Sequence, residues 1–185
     1  MAKFKIHTRY KTKDKQIVPS VTTILGSELG WNKNILMNWG IKMAKGGKDP
    51  HAFTSDAADT GTLAFKKVRE VVKPKFLVAE IKLVSEKHRV GGTADGVFEV
   101  GGETLLYDLK TSKNVYDEMK VQLGMYTLIY EEMFPKKKKI DGGVILRLDK
   151  ESGDYHYYQY TRETLDLGAR IFLNALANYR LHKEL

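Results

Sequence analysis

Two predicted strands joined by a Gly-Gly turn constrain the fold of this chain more than any other feature. The first strand spans about Arg89–Val100 and the second Glu103–Lys110, with Gly101-Gly102 between them. This dipeptide fits a tight hairpin turn between strands rich in apolar residues. The sequence therefore predicts an antiparallel hairpin at the centre of the domain.

Acidic side chains lie on both strands of this hairpin. Successive side chains of a strand point to opposite faces, so Leu106, Asp108 and Lys110 share one face and Leu105, Tyr107 and Leu109 take the other. A register centred on the glycines brings Asp95 near Asp108. We therefore expect two carboxylates and one ammonium at one end of a sheet.

Such a group of side chains suits phosphate chemistry. Mg²⁺ and Mn²⁺ usually bind through one or two carboxylates together with water and substrate phosphate. A lysine two residues along can orient a metal-bound water or neutralise charge on the phosphate. The alternative is a solvated strand face, because Asp-x-Lys occurs often by chance.

Three motifs in order connect the hairpin to a known family: Gly92-x-x-Asp95, Asp108-Leu109-Lys110-Thr111-Ser112 and Gln122-x-x-x-Tyr126. Together they resemble the PD-(D/E)xK nuclease superfamily and, within it, the RecB-like exonuclease group. Upstream, Pro19–Leu25 resembles a motif of the mitochondrial genome maintenance exonuclease branch. The resemblance covers the chain from about Val18 to Tyr160.

The resemblance implies an α/β domain with the PD-(D/E)xK (restriction-endonuclease-like) fold, a mixed central sheet flanked by helices. It implies that Asp95, Asp108 and the Leu109 backbone carbonyl hold Mg²⁺ or Mn²⁺, and that Glu80 contributes directly or through water. Lys110 would be catalytic with these acids. The DNA-binding residues would be Gln122, Tyr126, Thr111 and Ser112.

Two features depart from the pattern of the family. Many relatives have histidine where this chain has Phe65, and phenylalanine cannot bind a metal, which leaves the number of metal ions open. Some relatives hold an iron–sulfur cluster, but this chain has no cysteine and cannot. His88 is expected at the surface and not as a replacement ligand.

Composition favours one globular domain with a polyanionic partner. Residues 1–185 are expected to form a single nuclease domain, with a basic strand or arm at 1–18, a helical region at 19–73 and the nuclease core at 74–185. The formal net charge of +8 favours binding to nucleic acid. No apolar run predicts a membrane span or secretion signal, so we expect a protein of the cytoplasm or a phage-encoded intracellular protein.

Lysines recur in two segments. Basic residues alternate with apolar ones over residues 3–15, which predicts a strand that either discourages edge pairing or contacts phosphate, although a loose arm is also compatible. Lys136–Lys139 form a predicted loop that is either solvated or lies beside a DNA groove. Trp31 and Trp39 are candidates for base stacking, in a region up to Phe65 that could cover a strand.

The remaining pattern predicts the other elements of the fold. A core strand is expected at Phe76–Val84, and a second hairpin at Ile140–Asp149 and Asp154–Thr161. Helices are expected at 19–45 with glycine interruptions, at Ser55–Val72, at Asn114–Met133 and after Thr161.

These features predict a metal-dependent deoxyribonuclease that acts as an exonuclease on single-stranded DNA ends. Two alternatives remain open: a structure-selective or nonspecific endonuclease of the same fold, and a non-catalytic DNA-binding module. Double-stranded DNA stays possible as a substrate, and the sequence leaves the oligomeric state undetermined.

Overall fold

A mixed five-stranded sheet forms the centre of the computed structural model, which describes residues 9–30, 66–149 and 152–185. In chain order the elements are β1 (Tyr10–Lys11), β2 (Ile17–Val18), α1 (Val21–Ile24), β3 (Lys75–Ser85), β4 (Val90–Val100), β5 (Glu103–Lys110), α2 (Asp117–Met133), β6 (Gly142–Leu148), β7 (Tyr155–Thr161) and α3 (Arg162–Glu184). A wide helical turn of π type, Leu25–Leu29, continues α1, and residues 66–71 are helical.

The sheet has the strand order β3-β4-β5-β6-β7. Neighbouring strands run antiparallel except β5 and β6, which run parallel. Parallel neighbours need a crossover connection, and α2 provides it. The expectation of an α/β domain with a mixed sheet flanked by helices is therefore confirmed.

The β4–β5 hairpin has the predicted turn. Gly101 and Gly102 have φ angles of 59° and 85°, which suits the left-handed turns that join two-residue hairpins. The paired register runs from Val100↔Glu103 to Gly96↔Tyr107. Asp95 and Asp108 are the next residues along their strands.

Apolar side chains cover both faces of the sheet. On one face, α1, α2 and α3 pack over a core that includes Leu106, Leu123, Ile145 and Phe172. On the other, Val68 from the helical residues 66–71 packs with Phe98, Leu105, Tyr107, Val144 and Leu146. Asp108 belongs to the face of Leu106, so it lies under α2.

Helices α2 and α3 cross with their backbones in direct contact. A Cβ atom on Gly124 would overlap the Leu165 carbonyl oxygen, and one on Gly168 would lie 2.7 Å from the Lys120 carbonyl oxygen. α2 is consequently buried on nearly all sides, although its sequence predicts only an apolar stripe.

The N-terminal segment differs from the single strand expected at 3–15. β1 ends at Lys11, the chain turns through Thr12–Lys15, and β2 returns beside β1. Lys15 has a φ of 66°, and its amide donates to the Thr12 carbonyl at 2.9 Å. The predicted alternation of buried and exposed side chains is confirmed for four residues: Tyr10 and Thr12 are buried, while Lys11 and Lys13 are exposed.

Most other predicted elements are confirmed within a few residues at each end. α2 begins at Asp117 and not at Asn114, and Thr161 caps α3 as expected by accepting a hydrogen bond from the Thr164 amide. Trp31, Trp39, Phe65, most of the predicted helix Ser55–Val72 and the proposed cover over a strand lie outside the described residues. No helix in the described ranges is long and apolar enough to cross a membrane.

Candidate active site

Asp95 lies where β4 and β5 separate. Its Oδ2 accepts a 2.6 Å hydrogen bond from the backbone amide of Leu109, just beyond the last paired residues of the hairpin, Gly96 and Tyr107. The carboxylate thereby replaces a strand partner for this amide. This contact fixes Asp95 next to Asp108, as the hairpin register predicts.

The backbone of β3 and β4 is irregular at the same level. Gly96 has a φ of 156° and no room for a side chain, because a Cβ atom would overlap the Val78 carbonyl oxygen. Glu80 has a φ of 50°, which is costly for a residue with a side chain. Glu80 falls between the pairs Ala79↔Gly96 and Ile81↔Ala94, so its position is opposite Asp95.

A chain of polar contacts connects Asp108 to α2. Lys110 Nζ is ion-paired with Asp108 Oδ2 and donates to Gln122 Oε1 at 2.9 Å. Gln122 Nε2 in turn donates to the Tyr126 hydroxyl at 2.9 Å. Gln122 and Tyr126 are one helical turn apart, so they share a face of α2. The four predicted residues therefore form one continuous network.

The network is buried. Asp108, Gln122 and Tyr126 are 3%, 8% and 2% exposed, while the side chain of Lys110 is 21% exposed. Asp108 Oδ2 faces the lysine but has no well-aligned hydrogen-bond donor among the described residues. A buried carboxylate oxygen without such a donor can accept a further cationic partner.

A glycine on β4 makes room for the end of this network. A Cβ atom on Gly92 would overlap the ring of Tyr126 and lie 2.9 Å from its hydroxyl. The neighbouring Gly91 donates its amide to the Pro19 carbonyl at 3.0 Å. The first and last of the motifs quoted above are thus in contact, and the Pro19–Leu25 segment lies beside them.

Burial shapes the electrostatics of the two acids. It raises the pKa of Asp108 to about 6, with Lys110 lowering it and Asp95 raising it. Burial also raises the pKa of Asp95, against the Leu109 amide and Lys110, while Glu80 raises it further. One ammonium therefore does not fully compensate the carboxylates in this region, and added positive charge would stabilise their ionised forms.

The carboxylate oxygens of this site supply some of the ligands that a hard divalent cation such as Mg²⁺ requires. The described ranges contain no group of three or more His, Asp or Glu side chains able to hold a metal, so Glu80 does not complete a cluster with Asp95 and Asp108. Mg²⁺ needs only one or two protein carboxylates when water and phosphate supply the other oxygens. The pair Asp95 and Asp108 meets that requirement.

The other predicted residues occupy varied positions. Glu80 is exposed, Thr111 is exposed, and Ser112 donates to the Asn114 carbonyl at 2.7 Å. His88 is half-buried, and its carbonyl accepts from Arg180.

The Lys136–Lys139 loop lies at the end of β5 opposite to Lys110. Lys138 Nζ donates to the Gly102 carbonyl at 2.8 Å, and β5 separates that turn from Lys110 by about 24 Å at the usual rise per residue. The loop therefore does not lie beside Lys110, and its interpretation as one edge of a DNA groove stays a prediction.

Sequence reasoning missed Tyr10 as a neighbour of the site. Its ring lies against Gly91, and its hydroxyl is 3.0 Å from Thr93 Oγ1. The buried position of Tyr10 within the basic alternation was the available signal, but it did not indicate which strand the ring would contact.

Comparisons with known proteins add little to this geometry. No protein-family model matches the chain, and no curated protein matches it. Among solved structures it is similar to SSO0001, known from a crystal structure, with 15% identity, coverage of 83% of this chain and 74% of that chain, and a TM-score of 0.41. The case for a function therefore depends on the site itself.

Proposed function

We propose that this chain is a Mg²⁺- or Mn²⁺-dependent deoxyribonuclease with the PD-(D/E)xK fold, acting as an exonuclease on single-stranded DNA ends. The proposal extends the coarser α/β architecture to a specific fold and chemistry. It is supported by the sequence motifs and by their arrangement around the end of the β4–β5 hairpin.

One observation carries the proposal. Asp95 is fixed by the Leu109 amide at 2.6 Å beside Asp108, whose ion pair with Lys110 continues to Gln122. A structural network would gain nothing from placing the half-buried Asp95 beside the buried Asp108, because Asp95 adds to the effect of burial in raising the pKa of Asp108. Reactive or metal-binding sites commonly contain such costly pairs.

Each residue has a role that follows from its contacts. Asp95 and Asp108 would hold the metal, with the Leu109 carbonyl as a further oxygen ligand. A bound Mg²⁺ or Mn²⁺ supplies a water of lowered pKa and charge stabilisation for phosphodiester hydrolysis. Lys110 orients the attacking water and stabilises charge on the phosphate. Gln122 holds Lys110 in place and, with Tyr126, supports the scissile strand.

The remaining polar residues lie around this centre. Glu80, exposed opposite Asp95, acts through water because it does not join a three-carboxylate cluster. Thr111 and Ser112 follow β5 and offer hydroxyls to the DNA backbone.

A non-catalytic DNA-binding module is the alternative from another class. Asp95 and Asp108 argue against it, because a protein that only binds phosphate is weakened by carboxylates at its binding surface. Chelation separates the two: cleavage of end-labelled single-stranded DNA should require Mg²⁺ or Mn²⁺ and stop in excess EDTA. Cleavage that continues in EDTA would contradict the metal requirement.

A substitution pair tests the residues. Asp108→Asn should abolish cleavage while circular dichroism and melting show a folded chain, since asparagine has nearly the same shape. Asp117→Asn is the matched control, because its side chain is 74% exposed at the start of α2. Equal activity of both variants would remove Asp108 from the mechanism.

Substrate topology tests the exonuclease assignment. Linear single strands should be degraded and covalently closed circles of the same sequence should resist. If circles are cut as fast as linear strands, the endonuclease alternative takes the place of the exonuclease proposal.

A further inference from the structure

An open, lysine-lined pocket of about 600 Å³ lies between the N-terminal hairpin and β3. Its lining residues are Lys11, Thr12, Lys13, Lys82, Val84, Glu86, Glu132 and Met133. We propose that this pocket binds the phosphodiester backbone of a single DNA strand that extends from the candidate site. The inference rests on the proposed function and adds the location of the strand beyond the scissile phosphate.

The charge of the hairpin supports this assignment. Arg9, Lys11, Lys13 and Lys15 are all exposed. The hairpin's only acid is Asp14, and Arg89 neutralises it through two hydrogen bonds of 2.8 and 2.9 Å. The cations of the hairpin consequently remain available to an external anion.

The two glutamates of the pocket already have donors. Glu132 accepts from the Ser85 hydroxyl at 2.6 Å and from two backbone amides, those of residues 86 and 87, at 2.9 and 3.1 Å. Glu86 accepts from the Lys13 backbone amide at 2.9 Å. Neither carboxylate forms an ion pair with Lys11 or Lys13, and these two ammoniums have no ion pair with any described residue.

Contacts of Tyr10 hold the pocket next to the candidate site. Tyr10 is 8% exposed, and its hydroxyl is 3.0 Å from Thr93 Oγ1. Lys82 is paired with Thr93 across β3 and β4, and its Nζ lies 5.7 Å from the centre of the Tyr10 ring. Thr93 precedes Asp95 by two residues, about 7 Å along a strand. A DNA strand at Asp95 therefore has this pocket within reach.

Protection of a sheet edge does not account for Lys11 and Lys13. Lysines discourage pairing when they lie on a long exposed edge strand. β1 and β2 are two residues each and form a separate sheet, so Lys11 and Lys13 protect no edge of the five-stranded sheet.

Salt dependence of binding tests the pocket. Each phosphate contact made with a single strand contributes about −0.7 to the slope of log K against log salt. The triple variant Lys11→Ala, Lys13→Ala, Lys82→Ala should therefore bind with a slope that is less steep by about 2. Binding is measured by the fluorescence anisotropy of a labelled single-stranded oligonucleotide in EDTA. The double variant Lys11→Ala, Lys13→Ala keeps the Lys82 contact with Tyr10 and should reduce the slope by about 1.4.

A matched triple variant in the distant lysine loop provides the control: Lys136→Ala, Lys137→Ala, Lys139→Ala. It removes the same charge, so a general loss of electrostatic attraction would affect both triples equally. The expected result is a large change of slope for the pocket variant and a small one for the loop variant. Equal changes, or an unchanged slope in the double variant, would overturn the proposal.

The test of the pocket can fail independently of the test of nuclease activity. If wild type cleaves DNA with Mg²⁺ and the pocket variants keep the full slope, the pocket assignment is wrong and the nuclease proposal stands. If the slope falls as expected but wild type cleaves nothing with Mg²⁺ or Mn²⁺, the pocket stands and the chain is a binding module.

Discussion

Gly92 lies directly against the ring of Tyr126, and a Cβ atom at position 92 would overlap that ring. The tyrosine hydroxyl accepts the hydrogen bond of Gln122, which in turn accepts from Lys110. The absence of one side chain on β4 therefore determines where a lysine on β5 is held.

Replacing Gly92 should disturb both stability and activity. We expect Gly92→Ala to destabilise the chain by about 1–3 kcal/mol, the usual cost of overpacking, and to lower DNA cleavage at least tenfold. Chemical denaturation and cleavage of labelled DNA measure the two effects. Gly26→Ala is the control, because no atom of the described residues lies within 4 Å of a Cβ atom there.

A second substitution tests the contribution of Tyr126 itself. Adding Tyr126→Ala to Gly92→Ala removes the overlap but leaves a cavity, which costs about 3–5 kcal/mol for a buried aromatic ring, so stability and activity should both stay low. Full recovery of activity in the double variant would show that Tyr126 does not support the strand.

Removing the ammonium should affect turnover more than binding. Lys110→Ala should lower the cleavage rate by about 10²–10³, the scale for loss of one transition-state donor. DNA affinity in EDTA should change little, since other cations contact phosphate. Lys113→Ala, an exposed lysine three residues along, should leave both quantities unchanged.

The substitution Lys110→Arg tests whether a positive charge at this position is sufficient for normal turnover. Arginine retains a cation for Asp108 but has a planar group of different reach, so we expect a folded chain with impaired turnover. If binding and turnover of Lys110→Ala fell in equal proportion, Lys110 would serve in binding and not in catalysis.

The positive φ of Glu80 predicts opposite effects on stability and activity. Glu80→Gly should stabilise the chain by up to about 1 kcal/mol, because glycine adopts this conformation without the cost of a Cβ atom. Cleavage should nevertheless fall by about 10², the lower end of the range for loss of one acid or base. Lys73, with a φ of 49°, is the matched position: Lys73→Gly should gain similar stability and keep full activity.

Stability should depend on pH through Glu131. Burial raises the pKa of Glu131, but Arg162 and the Ile140 amide together lower it by more, so the net shift is downward. Arg162 Nη2 donates to Glu131 Oε2 at 3.0 Å. A lowered pKa stabilises the fold above the ordinary value of 4.5, and this contribution is lost as the pH falls below it. Glu131→Gln should cost about 1–3 kcal/mol at neutral pH.

The difference between wild type and Glu131→Gln should shrink in acid, where wild type loses the ion pair as well. Glu70→Gln, at an exposed position, should show no such difference. Denaturation curves at several pH values provide the measurement, and a difference that is constant with pH would contradict the assignment.

The sequence predicted the elements whose signals are local. Gly101-Gly102 indicates a hairpin turn wherever it occurs between strands, and Thr161 is a good helix cap. The hairpin register predicted that Asp95 lies near Asp108, and the spacing of Gln122 and Tyr126 predicted that they share one face of a helix. Only the resemblance to a nuclease family implied that this helix reaches the two carboxylates.

Features that depend on distant contacts were missed. The turn at Thr12–Lys15 contains no glycine, proline or asparagine, and Asp14, its one turn-favouring residue, was a weak signal within the alternating basic pattern. The burial of α2 on nearly all sides depends on the Gly124–Gly168 crossing, and two isolated glycines do not indicate which helices will meet. The hydrogen bond from the Leu109 amide to Asp95 likewise requires the strands to separate at Gly96.

The Gly124–Gly168 crossing has a consequence for the order in which the chain folds. Asp95, Asp108 and Gln122 are close in sequence and can meet as soon as α2 leaves the ribosome. α3 follows only after β6 and β7, on the order of several seconds later at ordinary synthesis rates. Until then the outer surface of α2 has no cover, and the nascent chain exposes an apolar helix. A chaperone that binds during this interval would protect the chain from aggregation before α3 arrives.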